Sequence, residues 1–316
     1  MTINRRGAVL RSAFAVTAAA VALAATAGTA LASGDPAAAA RARAAAVAEH
    51  RAQDAPRASA LARADEAPVE TPTFAMPAVL KRNSNLYLYF PNGEGGFDAR
   101  YDVGVSFDGI ADTVDVDNDK DGWEDGSYTL FKDGRLSYSW ITDDLDYHDK
   151  QVGTGWHIYR TILSPGSLGG AKEADLIGVD KAGVLWSYLA YPGGSLTPRT
   201  RVGSGWDQYT QIAGQGDLTG DGKADIVARD KSGVLWLYKG TGNYKTPFAG
   251  RAKIGGGWNA FDRLLSVGDL NMDGRTDLIA RKTNGDLLRY SGTGNAAAPF
   301  QKPVKIGHGY QIYNLL

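Results

Sequence analysis

The stretch Asp217-Leu-Thr-Gly-Asp-Gly-Lys-Ala-Asp225 is followed directly by Ile226-Val-Ala-Arg-Asp230 and, after a short turn, by Val234-Leu-Trp-Leu-Tyr238. The first segment has oxygen-bearing side chains at positions one, three, five and nine and a glycine at position six. This spacing is typical of a loop that turns around calcium, because the ion prefers several oxygen ligands and the glycine permits the tight turn. The two segments that follow are rich in β-branched and aromatic residues, which predicts two short strands joined by a hairpin.

The same unit recurs along the chain. Segments 117–125 and 269–277 repeat the acidic pattern, and each is again followed by an apolar run. A related segment at 167–175 keeps only its last aspartate and has Lys172 where the glycine is expected, so we expect no metal there. The ninth-position aspartates are spaced by 50, 50 and 52 residues: Asp125, Asp175, Asp225 and Asp277. A period of about 50 residues built from short strands predicts an all-β protein with the β-propeller fold.

The two ends of the chain indicate how many blades there are. The last repeat stops at Leu316, soon after its first strand, and its missing strands are found at 78–82 and 85–89. A blade assembled from both ends leaves no free sheet edge inside the ring. The sequence therefore predicts five four-stranded blades with a split closing blade. A seven-bladed or incomplete propeller is the alternative.

Three intact acidic loops predict calcium as the cofactor. In each loop, side-chain oxygens at positions one, three, five and nine would bind the ion, together with the backbone carbonyl of position seven. The expected ligands are Asp117, Asp119, Asp121, Trp123 and Asp125 in the first loop, Asp217, Thr219, Asp221, Lys223 and Asp225 in the second, and Asp269, Asn271, Asp273, Arg275 and Asp277 in the third.

A second signature, Gly-Trp-x-x-Tyr or a close variant, occurs once per repeat on the connection between blades. Its aromatic residues are Trp156, Trp206, Trp258 and Tyr310. Flat aromatic faces pack against sugar rings, which makes this set a candidate carbohydrate-binding ring. The same pattern is also explained if the aromatic side chains wedge between neighbouring blades as repeated core. Trp186 and Trp236, which lie inside strands, are expected to be core residues.

The chain divides into three segments. Residues 1–32 combine three arginines, an apolar stretch and the ending Ala30-Leu-Ala32, as expected of a secretory signal peptide cleaved after about Ala32. A membrane anchor is the weaker alternative, because the apolar stretch is barely long enough to span a bilayer. Residues 33–77 lack large apolar side chains and are predicted to be a disordered Ala-rich linker or a propeptide. Residues 78–316 form the propeller.

Composition narrows the choice of partners and location. Without residues 1–32 the chain loses three positive charges and no acidic ones, so its net charge falls from −1 to −4 and gives no support for nucleic-acid binding. Cysteine is absent, which excludes disulfides and a thiol nucleophile. We expect a secreted, extracellular monomer that does not span a membrane once the signal peptide is removed.

The Gly-Asp-Leu-Thr-Gly-Asp-Gly-Lys-Ala-Asp loop and the Gly-Val-Leu-Trp-Leu-Tyr strand resemble the FG-GAP/VCBS repeats of secreted bacterial propeller proteins, over about residues 78 to 316. The resemblance extends to the calcium loops of integrin α-subunit propellers and implies a stabilising metal between the first two strands of a blade. The Phe-Gly and Gly-Ala-Pro hallmark of that family is absent. The Gly-Trp-x-x-Tyr motif in its place is similar to five-bladed tachylectin-type lectins.

These patterns favour a non-enzymatic protein that binds a glycan or a cell-surface or cell-wall ligand, in the manner of a lectin or an adhesion protein. A purely protein-binding module remains an alternative. A propeller glycoside hydrolase or polysaccharide lyase is a second alternative and needs carboxylates outside the metal loops. The candidates for that chemistry are Asp143, Asp144, Asp146 and Asp149, with His148 among them.

Overall fold

The computed structural model describes residues 35–61, 71–142 and 146–315. Five antiparallel four-stranded sheets form the blades of a β-propeller. This confirms the predicted all-β fold, the five blades and the period of the repeat. In the described part of the chain, the one α-helix is α1 (Pro36–Leu61), which precedes the first blade.

The strands follow one another around the ring. Blade 1 begins with β1 (Met76–Leu80), β2 (Asn85–Tyr89) and β3 (Tyr101–Ser106). Blade 2 contains β4 (Ile110–Val116), β5 (Gly126–Phe131), β6 (Leu136–Ile141) and β7 (Tyr147–Gly153). Blade 3 contains β8 (Tyr159–Gly166), β9 (Asp175–Asp180), β10 (Leu185–Tyr188), a small hairpin of β11 (Ala190–Tyr191) and β12 (Ser195–Leu196), and β13 (Thr200–Gly203).

Blades 4 and 5 complete the ring. Blade 4 contains β14 (Tyr209–Ala213), β15 (Ile226–Asp230), β16 (Leu235–Tyr238) and β17 (Ala252–Gly255). Blade 5 contains β18 (Phe261–Gly268), β19 (Asp277–Lys282), β20 (Leu287–Tyr290) and β21 (Val304–Gly307), and the C-terminal β22 (Tyr313–Leu315) then joins blade 1. Short 3-10 helices occur at Trp156–Ile158, Pro192–Gly194, Trp206–Gln208, Trp258–Ala260 and Tyr310–Ile312.

Blade 1 is split, as the sequence predicts. Strand β22 pairs antiparallel with β1, in the register Ala78 to Leu315 and Leu80 to Tyr313. Both partners are apolar and fully or nearly fully buried: Ala78 and Leu315 have no exposed surface. The first and last strands of the propeller therefore close the ring through backbone hydrogen bonds and core packing together.

The five innermost strands, β4, β8, β14, β18 and β22, surround a central channel with a volume of about 390 Å³. A register shift occurs near the start of β4, β8, β14 and β18, between the first and third residues of each strand. Such a bulge bends the strand and re-aims the side chains that follow it. The third residue of each of these four strands consequently lines the channel.

Helix α1 departs from the expected disordered linker. It packs between blades 1 and 2, where Ala39 joins an apolar cluster with Leu86 and Phe131, and Ala46 joins another with Leu88. The prediction of disorder rested on the absence of large apolar residues. Helix α1 packs without them because small alanine side chains allow it to approach the blades closely. Cleavage of this segment as a propeptide stays a prediction.

The predicted signal peptide lies outside the described residues. Among the helices that the structure describes, none combines the length and apolar composition that a bilayer crossing requires.

Candidate functional site

The three acidic loops connect the first and second strands of blades 2, 4 and 5; we call them loop 1 (117–125), loop 2 (217–225) and loop 3 (269–277). In each, the first aspartate accepts a hydrogen bond from the backbone N–H of the position-six glycine, at 3.0, 2.6 and 2.6 Å. These glycines have φ values of +90°, +76° and +81°, which residues with a Cβ rarely adopt. The three loops therefore share one backbone conformation, as their common sequence pattern predicts.

Loop 1 brings three of its predicted ligands together. Carboxylate oxygens of Asp117, Asp119 and Asp125 all lie within 4.8 Å of one another. Burial raises the pKa of Asp117 to about 7, and the neighbouring carboxylates add to this increase, although two backbone N–H groups oppose it. Clustered oxygen ligands without a nitrogen or sulfur donor suit a hard cation such as calcium. The fourth predicted carboxylate, Asp121, instead forms an ion pair with Arg51 of α1.

Loops 2 and 3 have weaker acidic character. In loop 2, the Lys239 ammonium nitrogen lies 3.3 Å from a carboxylate oxygen of Asp221. In loop 3, Asn271 donates to Asp273 at 3.0 Å, while its side-chain oxygen is buried with no hydrogen-bond partner in the described residues. A buried acceptor without a partner is costly, so a cation at loop 3 would satisfy it. The residues present thus fit a calcium ion, and best in loop 1.

The ninth-position aspartates also have a structural role. In blades 3, 4 and 5, one oxygen accepts the N–H of the second loop residue, at 2.8, 3.0 and 3.2 Å. The other oxygen accepts an N–H from the segment after the third strand, at 2.8, 2.7 and 3.0 Å. This explains why Asp175 persists in blade 3, where the other acidic positions are lost. The aspartate fastens the loop to its own blade with or without a metal.

The recurring Gly-Trp residues are buried in the structure. Trp156, Trp206, Trp258 and Tyr310 are only 6 to 8% exposed. Trp156 stacks on Tyr188 with ring centroids 4.6 Å apart, and Trp206 and Trp258 make the same contact with Tyr238 and Tyr290 at 4.8 and 4.9 Å. Their faces are therefore covered by protein, which favours the interpretation that they wedge between blades. We do not retain them as a sugar-binding ring.

The sequence pattern alone missed the fifth member of this motif. The backbone N–H of each of the four aromatic residues donates to the hairpin of the preceding blade, as Trp156 does to the Gly134 carbonyl at 2.9 Å. Phe107 makes the equivalent bond to Ser84 at 2.6 Å and is 2% exposed. Its segment, Ser106-Phe-Asp-Gly-Ile110, lacks the glycine before the aromatic residue. The usable signal was an aromatic residue three positions before the start of an apolar strand.

Partly exposed aromatic residues occur elsewhere, in the outer grooves between blades. The Arg251 guanidinium carbon lies 4.1 Å from the ring centre of Trp236, and Arg199 lies at the same distance from Trp186. The two indole N–H groups donate to carboxylates of Asp230 and Asp180 at 2.8 Å. Both tryptophans are half-buried and both arginines are exposed. Both tryptophans pack against core clusters, as expected, and each also keeps part of its side chain exposed. We call these two groups the Arg–Trp clusters.

Each Arg–Trp cluster continues into a pair of tyrosines. Arg251 donates to the Tyr209 hydroxyl at 2.6 Å, and Tyr209 shares a short hydrogen bond with Tyr238. In blade 3 the Tyr159 and Tyr188 hydroxyls form the same pair. The indole of Trp186 packs against residues of blade 2, and that of Trp236 packs against residues of blade 3. The clusters thus line the grooves between blades 2 and 3 and between blades 3 and 4.

A third, modified cluster lies between blades 5 and 1. Arg100 lies 4.7 Å from the ring centre of Tyr87 and donates to the Tyr313 hydroxyl at 2.8 Å. In blade 5 the equivalent positions are Leu288 and Pro303, which cannot form such a pair. In all three clusters an exposed guanidinium lies on an aromatic face, and the two Arg–Trp clusters also hold a carboxylate beside it. These two clusters therefore offer hydrogen-bond donors, an acceptor and an apolar surface in one place.

The candidate hydrolytic acids do not form a catalytic pair in the part of the chain that the structure describes. Asp143 and Asp144 lie outside the described residues. Asp146, His148 and Asp149 are exposed near the hairpin that joins β6 to β7, at the outer edge of blade 2. His148 stacks on Trp140 with ring centroids 5.1 Å apart. These groups lie away from the channel, whose lining includes none of them.

Comparison with known families agrees with the repeat. Residues 217–280 match the FG-GAP-like repeat family. The resemblance stated from the loop and strand motifs is thereby confirmed over loop 2, the last three strands of blade 4, and β18, loop 3 and the start of β19 in blade 5. No curated protein matches the chain.

The solved structures that are similar to this chain have low sequence identity to it. The BP39L lectin from Burkholderia pseudomallei is 12% identical, with 76% of this chain and 71% of that chain covered and a TM-score of 0.46. A triple arginine-to-alanine mutant of AofleA from Arthrobotrys oligospora is 12% identical, with 77% and 76% covered and a TM-score of 0.44. The Nup133 β-propeller domain of Vanderwaltozyma polyspora is 10% identical, with 78% and 76% covered and a TM-score of 0.37.

Proposed function

We propose that this protein is a secreted, non-enzymatic propeller that binds carbohydrate in its inter-blade grooves and is stabilised by calcium. The observation that carries the binding function is the repeated Arg–Trp cluster. A guanidinium held against an indole can donate to neighbouring sugar hydroxyls, Asp180 or Asp230 can accept from them, and the aromatic surface can pack against C–H groups. Several weak, equivalent sites would gain avidity on a repetitive glycan.

The electrostatics of the clusters support this use. Partial burial works against ionisation of Asp230, yet the hydrogen bond from the Trp236 indole and two backbone N–H groups lower its pKa below the ordinary value. The pKa of Asp180 is lowered in the same way beside Trp186. Both carboxylates are therefore charged acceptors at neutral pH. Their rigid hydrogen bonds keep them in position before a ligand arrives, which reduces the entropic cost of binding.

The glycan-binding test uses residues 33–316, the compact unit that contains the described residues. We expect binding to a subset of immobilised glycans on an array, and we expect Arg199→Ala combined with Arg251→Ala to reduce it about tenfold or more, as loss of charged hydrogen bonds at two sites would. The matched control is Arg135→Ala. Arg135 also covers an aromatic ring, at 4.5 Å from the centre of Phe131, but lies in blade 2 outside the clusters.

Two results would contradict the groove assignment. One is binding that survives in the double variant, and the other is an equal loss in the Arg135→Ala control. Absence of binding to every glycan by folded wild-type protein would instead favour a protein ligand at the cell surface.

Calcium binding at the three loops is the second element of the proposal. The clustered carboxylates of loop 1 and the unpaired oxygen of Asn271 in loop 3 support it. If free calcium exceeds a site's dissociation constant about 100-fold, each loop would add about 2.7 kcal/mol to the free energy of unfolding. In a chain without cysteine, this would replace the stabilisation that disulfides provide in many secreted proteins.

The calcium prediction is tested by thermal unfolding in millimolar calcium and in chelator. We expect the melting temperature to rise with calcium, and Asp117→Asn to remove part of that rise because it weakens the loop 1 carboxylate trio. Asp149→Asn changes an exposed carboxylate outside the loops and should leave the rise intact. An undiminished calcium effect in Asp117→Asn, or none in the wild-type protein, would remove loop 1 from the proposal.

A further inference from the structure

The central channel is a separate concave feature that neither the loops nor the grooves explain. Its volume of about 390 Å³ is in the range of small-ligand pockets. At the end that carries the acidic loops, the segment 71–75 runs between two blades. Thr73 donates its N–H to Gly122 of loop 1 at 2.9 Å and its hydroxyl to the Asp269 carbonyl of loop 3 at 2.8 Å.

The segment 71–75 also supplies part of the channel lining. Phe74 and Ala75 face the channel and are only 4 and 5% exposed. The Phe74 N–H donates to the Val267 carbonyl of β18 at 2.7 Å. This segment therefore bridges blades 2 and 5 on the side of the acidic loops.

One position of the repeat supplies a ring of different side chains to this pocket. The third residue of four innermost strands lines the channel: Asp112, Thr161, Gln211 and Arg263. Leu315 of β22, which has no bulge, borders the same space but is fully buried. The bulges near the start of β4, β8, β14 and β18 place the first four at equivalent points. The ring of four therefore presents a carboxylate, a hydroxyl, an amide and a guanidinium around a single space.

The two charged members of the ring are not neutralised by each other. No ion pair within 4.0 Å joins Arg263 to any acidic residue of the described chain, and its guanidinium makes no hydrogen bond there either. The Asp112 carboxylate accepts one hydrogen bond, from the backbone N–H of Thr113 at 3.0 Å. The Thr113 hydroxyl, which also lines the channel, is buried without a partner in the described residues.

Other arginines of the repeat, unlike Arg263, have hydrogen-bond partners in the protein. Arg281 donates to the Tyr310 and Tyr313 carbonyls at 3.0 and 2.7 Å and pairs with Asp262 at 2.8 Å. Arg229 has the same structural role at the next interface. Desolvation lowers the pKa of Arg263, and the nearby Arg281 lowers it further. Arg263 is half-buried in the channel wall, and its guanidinium has no protein partner there, so its N–H groups are available to a bound anion.

We propose that this channel binds a monosaccharide-sized polyol that carries one carboxylate, in the manner of a hexuronic acid. The planar guanidinium of Arg263 matches a carboxylate through two parallel hydrogen bonds. Thr161, the Gln211 amide N–H groups and Asp112 are suited to hydroxyls. A neutral sugar would leave the Arg263 guanidinium without a carboxylate in hydrogen-bond contact. The channel site does not depend on the groove clusters, and each can exist without the other.

The protonation of the Asp112 side chain determines which hydrogen bonds it can form with a ligand. Burial raises its pKa to about 7, although Thr113 and Arg263 both oppose the increase. Near neutral pH this carboxyl group can both accept and donate a hydrogen bond, which suits a ligand hydroxyl.

The test is isothermal titration calorimetry of residues 33–316 with glucuronate, galacturonate, glucose and the methyl ester of glucuronic acid. We expect at least one uronate to bind saturably, and the neutral sugar and the ester to bind about tenfold more weakly or not at all, because each loses the charged hydrogen bonds to Arg263. Arg263→Gln should weaken uronate binding to a similar degree. Thr161→Val, a milder change, should weaken it a few-fold.

Arg199→Ala with Arg251→Ala provides the control that separates the two sites. It should leave uronate binding in the channel unchanged, even where it abolishes glycan-array binding. The channel proposal is overturned if no uronate binds to folded protein, if the ester binds as well as the acid, or if both Arg263→Gln and Thr161→Val bind with wild-type affinity. Saturable binding of glutamate in preference to either uronate would also overturn it.

Discussion

Single positions of the repeat have different roles in different blades. The ninth loop aspartate is a predicted metal ligand in loops 1, 2 and 3, yet Asp175 keeps its two backbone hydrogen bonds in a loop that has lost the other acids. Arginines likewise divide into interface residues such as Arg281, with several carbonyl partners, and Arg263, with none in the described residues. A repeated residue type therefore identifies a position, while its partners determine what it does.

Asp112 leads to a prediction about pH. Burial raises its pKa to about 7 in the folded protein, whereas an unfolded aspartate has a pKa of about 3.9. The folded state therefore favours the protonated form, and the contribution of Asp112 to stability is fully present below about pH 4 and is lost as pH rises to about 7. We expect Asp112→Asn to match the wild-type melting temperature at pH 4 and to exceed it increasingly up to pH 7.

The comparison is made in chelator, so that calcium binding does not change with pH. Asp149→Asn serves as the control, because this exposed carboxylate should show no such trend. A difference between Asp112→Asn and wild type that is the same at every pH would contradict the raised pKa.

Among the elements, the strands were predictable and the helix was not. The β-branched and aromatic runs that follow each acidic loop form the second and third strands of the blades. Helix α1 consists largely of alanine, and composition alone did not indicate a partner surface for it. Its docking depends on Arg43, which is 2% exposed and pairs with Asp115 at 2.6 Å and Glu124 at 3.2 Å in blade 2.

Replacing Arg43 tests whether this ion network holds the helix in place. Arg43→Ala would leave two buried carboxylates without their partner, a change that typically costs about 3 to 5 kcal/mol. We expect the helix to undock, with trypsin cleaving within residues 41–51 well before the propeller, and the urea midpoint to fall. Arg41→Ala is the control, because Arg41 lies outside this network and contacts the Tyr147 ring, at 5.0 Å. Equal protease resistance in the two variants would contradict the role of Arg43.

For the whole molecule, ring closure depends on one short strand pair. β22 contributes three residues to blade 1 and ties the C-terminus to the beginning of the propeller. The absence of cysteine makes this contact easy to test without background thiols. Val79 and Asn314 are directly opposed in the register.

A Val79→Cys and Asn314→Cys double variant should form a disulfide under mild oxidation. Closing so long a segment of chain typically stabilises a protein by about 2 to 4 kcal/mol, so the oxidised form should melt at a higher temperature than the reduced form. The two single variants are controls and should show no dependence on oxidation. Failure of the double variant to cross-link while folded would contradict the observed closure.

The sequence by itself determined the repeat, the five blades, the split closing blade and the loop conformation, because each follows from local spacing and turn chemistry. Tertiary structure alone decided which aromatic residues are accessible: the recurring Trp156, Trp206 and Trp258 are covered, while Trp186 and Trp236 are partly exposed. It also decided that α1 packs on the blades and that Asp112 and Arg263 line the same channel. Burial and partnership arise from residues far apart in the chain, and no local pattern encodes them.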